Sequence, residues 1–183
     1  MWIWIVLAIV ILVLLALIGL YNALVQKRIR CQEAWSQIDV QLKRRYDLIP
    51  NLINTVKGYA AHEKETLERV IQARNAAIAA QGVQQQAEAE NMLTGALRQL
   101  FALAEAYPNL KANENFAQLQ EELTGTENKI AFSRQHYNDS VAVYNMAREK
   151  FPSSIVAEMF GFQKREYFEI EEPAHRETPK VQF

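Results

Sequence analysis

From Trp2 to Tyr21 the chain reads WIWIVLAIVILVLLALIGLY, twenty residues without a charged side chain. As a helix this stretch spans about 30 Å, the thickness of a bilayer's hydrocarbon core. Trp2 and Trp4 stand at one end and Tyr21 at the other, where amphipathic rings favour the headgroup interface. The pattern then changes without a stop signal. From Leu24 a seam spaced by fours and threes runs through Arg28, Cys31, Trp35, Ile38, Leu42, Arg45 and Ile49, the spacing of a helix that buries one stripe. Pro50 removes a backbone bond and predicts a kink near residues 46–50. Apolar spacing resumes at Leu52, Ile53, Val56 and Tyr59 and carries the helix to about residue 61.

A second helical pattern covers 63–106, with Leu67, Ile71, Arg74 and Ile78 on one face and Leu93, Leu97, Leu100 and Ala104 continuing it. Gly82 and the run VQQQAEAE weaken it midway, so this stretch reads as one helix or two. Tyr107-Pro108 ends it, because the residue before proline is pushed out of the helical region. A third pattern, 113–150, carries Phe116, Leu119, Leu123, Ile130, Tyr137, Val141 and Tyr144. After Phe151-Pro152, Ser153 or Ser154 is placed to cap a short helix to Phe160, with Gly161 as its C-terminal cap. Segments 22–61, 63–106 and 113–150 would each span about 55–65 Å. Short links between helices of matched length make antiparallel neighbours. The expected fold is all-α: a transmembrane helix (1–21) continuous with an elongated antiparallel bundle (22–160), then an extended tail (161–183). The bundle has three long helices and a short C-terminal one, or four if broken near Gly82.

The apolar stretch reads as an uncleaved anchor. It has no basic leader and no A-x-A cleavage site, and Cys31 lies too far beyond it to be a lipidated cysteine. The nearby basic residues, Lys27, Arg28 and Arg30, all follow the stretch. Basic flanks stay cytoplasmic, so the expected topology puts residues 22–183 in the cytoplasm and the N-terminus outside the inner membrane. A single cysteine excludes a disulfide framework. The 20 basic and 21 acidic residues nearly cancel, which argues against a nucleic-acid-binding face.

Three segments carry a resemblance. AWSQIDVQLKRRYDLIPNLINTVKGYA (34–60), EAYPNLKANENFAQLQEELTGTENKIAFSRQHYNDSVAVYN (105–145) and FPSSIVAEMFGF (151–162), with the ending PKVQF, resemble the LemA family. That family consists of bacterial membrane proteins with a helical-bundle domain. Its genes often lie near those of membrane metallopeptidases, so the resemblance implies a link to membrane-protein quality control.

Candidate chemistry is sparse. His62-Glu63 begins like a zinc-protease motif, but the run is HEKET and lacks the second histidine that ligation requires. Cys31 lies on the helical seam and reads as a buried thiol. Asp39, Lys43, Arg44, Arg45 and Asp47 sit beside Trp35 and Tyr46. Asp39–Lys43 and Lys43–Asp47 have the spacing of i,i+4 ion pairs on a solvated face. The same face, with Trp35, Asp39, Lys43, Arg44 and Asp47, is the candidate partner surface. Trp2, Trp4, Tyr21, Lys27, Arg28 and Arg30 form the candidate membrane interface. On the third helix Glu127, Asn128, Arg134, Asn138 and Asn145 lie on or beside the inner stripe, and Tyr-Asn pairs recur at 137–138 and 144–145. They are expected to answer Asp47, Asn51 and Asn54 in buried hydrogen-bonded layers. In the tail, Phe160, Phe162, Tyr167, Phe168 and Ile170 precede a terminal Val181-Gln182-Phe183. Val181 and Phe183 either dock back on the bundle or offer a carboxylate-ended ligand to another protein.

No catalytic residue, cofactor or metal site emerges. The residues support a non-enzymatic single-pass membrane scaffold or adaptor. Its partners would be the lipid bilayer and other membrane or cytoplasmic proteins, a second copy of this chain included. The family resemblance supplies an alternative, an accessory subunit or regulator of a membrane protease.

Overall fold

The computed structural model describes residues 1–60 and 62–169. Its elements are α1 (Trp2–Lys57), α2 (Lys64–Ala79), α3 (Val83–Ala104), α4 (Pro108–Lys111), α5 (Glu114–Glu149) and α6 (Ser153–Met159), with no strand among the described residues. The chain divides into two compact units. One holds residues 1–41 and 129–167, the other 42–128 with Phe168 and Glu169. Both α1 and α5 contribute to each.

In the first unit the seam of α1 buries Leu24, Cys31, Ala34 and Ile38 against Ile130, Tyr137, Val141 and Tyr144 of α5. The ring of Trp35 meets that of Tyr137 edge to face, 5.3 Å apart. Trp35 itself is half-buried and Arg28 is exposed, so two members of the expected seam sit at its margin. Helix α6 adds Val156 and Ala157 to this core. It ends in a Schellman turn: Gly161 takes φ +67°, the Phe162 N–H reaches the Ala157 carbonyl at 2.9 Å, and the Gly161 N–H reaches that of Glu158 at 3.3 Å. Glycine takes the left-handed residue without a Cβ penalty, and buried Phe162 supplies the accompanying apolar contact. The expected serine cap at the other end is absent. Ser153 is already helical, and its hydroxyl donates back to the Lys150 carbonyl at 2.8 Å.

In the second unit Ile49, Leu52, Ile53 and Val56 of α1 pack with Leu67 and Val70 of α2, Leu93, Leu97 and Leu100 of α3, and Phe116 and Leu123 of α5. Truncating any one such leucine would cost about 2–5 kcal/mol through lost burial and the cavity left behind. Pro50 lies inside α1 and does not end it. Contacts pair α1 with α5 antiparallel: Arg45 meets Glu127, and Asn113 donates to the Tyr59 hydroxyl at 2.9 Å. Asn113 also caps α5, its side-chain oxygen accepting the Phe116 N–H at 2.9 Å, which satisfies one of the free amides of the first turn.

The stretch 63–106 is two helices, so the four-helix version is the one adopted. Ala80, Gln81 and Gly82 separate α2 from α3, and Gly82 takes φ +83° and ψ 170°. Helix α2 buries Leu67, Val70, Ala73 and Ala77, whereas the expected Ile71 and Ile78 are exposed. Small residues face the core because α2 and α3 form a tight hairpin, with Gln86 bonded to the Ala77 carbonyl and Arg69 to Gln99.

A Cβ at position 82 would meet nothing within 4 Å, so only the backbone resists a side chain there. Gly82→Ala is expected to cost about 1–3 kcal/mol, because that φ,ψ combination is open essentially to glycine alone. Urea unfolding followed by circular dichroism measures it. A neutral substitution would show that the α2–α3 link has another acceptable geometry.

Candidate functional site

The second unit encloses a cluster of charge. Position 45 falls on the buried stripe of α1, so an arginine there must bring its acceptors inside with it. Arg45 is 3% exposed and Glu90, on α3, is 1% exposed. The guanidinium donates to Glu90 Oε2 at 3.1 Å, to Thr94 Oγ1 at 2.9 Å and to Glu127 Oε2 at 2.9 Å. The other Glu90 oxygen accepts from the Tyr46 hydroxyl, and from Gln86 Nε2 at 3.2 Å. Gln86 also reaches the Tyr46 hydroxyl at 2.9 Å, while Arg74 Nε donates to the Tyr46 carbonyl at 2.8 Å. Four helices thus meet at one set of hydrogen bonds.

Burial pushes the Glu90 carboxyl above its ordinary range, against the pull of Tyr46, Arg45 and Gln86. Burial and the adjacent Glu90 also raise the Tyr46 phenol. A hollow of about 190 Å³ borders the cluster, lined by Arg45, Thr94, Leu97, Phe101, Leu123 and Glu127 among others. It is smaller than the pockets that hold drug-sized ligands, and the arginine's charge is already met by two carboxylates. The hydroxyls beside its carboxylates, Tyr46 on Glu90 and Thr94 at 3.5 Å from Glu127 Oε1, are bonded within the cluster. What it does is fix the register of α1, α2, α3 and α5.

Sequence reasoning placed Arg45 on the seam but missed Glu90, which falls in the run expected to be weakest. A signal was present. Gln86, Glu90, Leu93, Leu97, Leu100 and Ala104 are spaced four, three, four, three and four, so both polar residues lie on the apolar stripe of α3.

The polar residues late in α5 have another task. Tyr137 donates to the Glu166 carbonyl at 3.0 Å and Tyr144 to that of Gln163 at 2.8 Å. Asn145 brackets Arg165, donating to its carbonyl at 2.9 Å and accepting its N–H at 3.0 Å. Arg148 Nε holds the Phe162 carbonyl at 2.8 Å. These side chains supply partners that a segment outside helix and strand cannot supply for itself. The expected partners Asp47, Asn51 and Asn54 are exposed instead. Cys31 is fully buried in this unit, and burial raises its thiol.

Of the candidate membrane-interface residues, Tyr21 packs edge-on against Phe160 and Phe162, at 4.8 and 5.6 Å, and Arg28 lies over the Phe162 ring at 5.3 Å. Trp2, Trp4 and Arg30 are exposed and Lys27 is partly covered. Lys27, Arg30, His136 and Asp139 line a shallow cleft of about 200 Å³. On the candidate partner surface Asp39, Lys43, Arg44 and Asp47 are exposed. Among the described residues the ion pair on this face is Arg44–Glu122, at 3.7 Å, rather than Asp39–Lys43 or Lys43–Asp47. Val181 and Phe183 lie outside the described residues. Among those described, no three His, Cys, Asp or Glu side chains gather to hold a metal ion.

The LemA family matches residues 34–183. The chain belongs to the LemA family. It is 27% identical over 187 residues to magnetosome protein MamQ of Magnetospirillum gryphiswaldense, covering 88% of this chain and 68% of that protein. Magnetosome protein MamQ 2 of Paramagnetospirillum magneticum is 25% identical with the same coverage. Protein LemA of Metamycoplasma hominis is 26% identical over 160 residues, 85% of this chain and 71% of that one. Family membership and the exposed apolar stretch of α1 point to a membrane-associated protein. In this LemA-family chain the matched region takes in every member of the Arg45–Glu90 cluster.

Arg45→Met alone is expected to cost about 3–5 kcal/mol, since it strands a buried carboxyl, whereas Arg45→Met with Glu90→Leu should recover most of that loss. Urea titrations of both variants decide it. Equal losses in the two would show that the pair is not coupled.

Because folding raises the Glu90 carboxyl above its ordinary value of 4.5, the folded chain binds that proton more tightly than the unfolded one. Glu90's contribution is therefore greatest at low pH and is lost as pH climbs from about 4.5 through the raised value. The stability of the wild type relative to Glu90→Gln should fall over that interval. The opposite trend would mean that Arg45 holds the carboxyl charged in spite of burial.

Proposed function

We propose that this chain is a non-enzymatic, single-pass membrane scaffold or adaptor, anchored by Trp2–Tyr21 and presenting its helical domain to protein partners in the cytoplasm. One observation carries the reading. The most apolar window of α1 has a mean hydropathy of 3.3 and none of it is buried within the protein, while the same helix continues into folded units on its C-terminal side. Burying that surface in lipid removes it from water at no cost to the domain. The inner buried charges are consumed by one another, which leaves the exposed face of Asp39, Lys43, Arg44 and Asp47 as the surface for a partner. Regulation of a membrane protease is the narrower alternative and predicts a peptidase among the co-purifying proteins.

Reversing charge with Lys43→Glu and Arg44→Glu should change folding stability by less than about 0.5–1 kcal/mol, as expected for solvated residues. It should also shrink the set of proteins co-purified from detergent and identified by mass spectrometry. An unchanged set would remove this face from the proposal, and turnover of a substrate by the purified chain alone would overturn the non-enzymatic reading.

A reporter active only in the cytoplasm, fused after Phe183, should give full signal, because Lys27, Arg28 and Arg30 hold their side of the anchor inside. A silent fusion at normal expression would reverse the topology.

A further inference from the structure

The first unit presents an apolar face that its described residues leave largely exposed. Phe151, Ile155, Met159 and Phe160 are 75%, 51%, 65% and 56% exposed. Ile155 and Met159 stand one helical turn apart on the outer side of α6, while Val156 and Ala157 of the same helix are buried. Helix α6 is therefore apolar on two sides, and its own unit uses one of them. Contiguous exposed apolar surface of this kind marks an interaction site.

Its position identifies the occupant. The Phe160 ring lies 4.8 Å from that of Tyr21, and Tyr21 closes the apolar stretch of α1. Phe160 thus sits at the depth where that stretch leaves the hydrocarbon. Lys27, Arg28 and Arg30 follow within about 15 Å along the helix, and Arg148 is tied to the Phe162 carbonyl at 2.8 Å. An apolar face at that level, with Lys27, Arg28 and Arg30 following on α1 and the exposed Glu158 on α6, suits the boundary between acyl chains and headgroups. We propose that the outer face of α6, with Phe151 and Phe160, is an interfacial foot that lies in the same bilayer leaflet into which the anchor emerges. The foot rests on the reading of Trp2–Tyr21 as a membrane span. It makes the first unit a body fixed against the lipid surface rather than one tethered by a single helix.

The test uses the full-length chain with Cys31→Ala, reconstituted in phosphatidylcholine–phosphatidylglycerol vesicles. Spin labels are placed singly at Ile155→Cys, Met159→Cys, Leu12→Cys and Gln135→Cys, all four positions being exposed. Collision with oxygen, which partitions into lipid, is compared with collision with a water-soluble nickel chelate. Labels at 155 and 159 should favour oxygen several-fold over the label at 135, at a shallower depth than the label at 12. If 155 and 159 match 135 while 12 stays in hydrocarbon, the foot is overturned and the anchor stands. If the label at 12 is itself reached by nickel, the anchor fails and the foot with it. If 155 and 159 are shielded from both reagents, another protein or a second copy covers the face, and the lipid assignment is overturned.

Discussion

A guanidinium taken out of water must be given acceptors, and the second unit is organised around that requirement at Arg45. The long side chain leaves α1 on its buried stripe, where solvent cannot reach the charge. Glu90 of α3, Thr94 of the same helix and Glu127 of α5 answer it. Glu90 in turn engages Tyr46, one residue along from the arginine. A hydrocarbon core tolerates small slips of one helix along another at modest cost. A buried ion pair does not, because a slip of one turn would leave both partners desolvated and unpaired. The cluster therefore selects one alignment of four helices, in return for stability that a wholly apolar layer would have supplied.

The first unit solves a different accounting problem. Beyond α6 the described residues 162–169 form neither helix nor strand, so their amides and carbonyls need partners from side chains. Tyr137, Tyr144, Asn145 and Arg148 provide them from α5, and buried Phe162 fixes the start of the segment. The aromatic rings do double duty. Their bodies fill the core beside Cys31 and Ile38, and their hydroxyls reach the backbone at the edge of it. This explains why the repeat is Tyr-Asn rather than Leu-Asn, and why seven residues separate the two copies: two helical turns bring them back to the same side.

Exposed apolar groups gather at one end of the first unit. Trp2 to Tyr21 is apolar and uncovered within the protein, and the outer side of α6 is uncovered beside the point where that stretch ends. Lys27, Arg28 and Arg30 follow that stretch along α1.

Spacing along the chain determined the seam of α1 and the span of α5, because each is written in a period that only one local conformation satisfies, and a glycine just past a short helical run marked the Gly161 cap. The resemblance of residues 34–60, 105–145 and 151–162 carried the family. Three things awaited the tertiary structure. The break at Gly82 was legible as an option, but a glycine weakens a helix without deciding that it stops, and the α2–α3 packing decided it. The face of α2 was misread because Ile71 and Ile78 are the more apolar choice, whereas a close hairpin needs the small Ala73 and Ala77. The partners of buried polar groups were beyond reach. A sequence shows that Arg45, Glu90, Tyr144 and Asn145 sit on inner stripes, yet the atoms they bond belong to other helices or to the backbone of a distant segment. Spacing along one helix determines which side a residue faces; only the packing of helices against one another determines what it meets there.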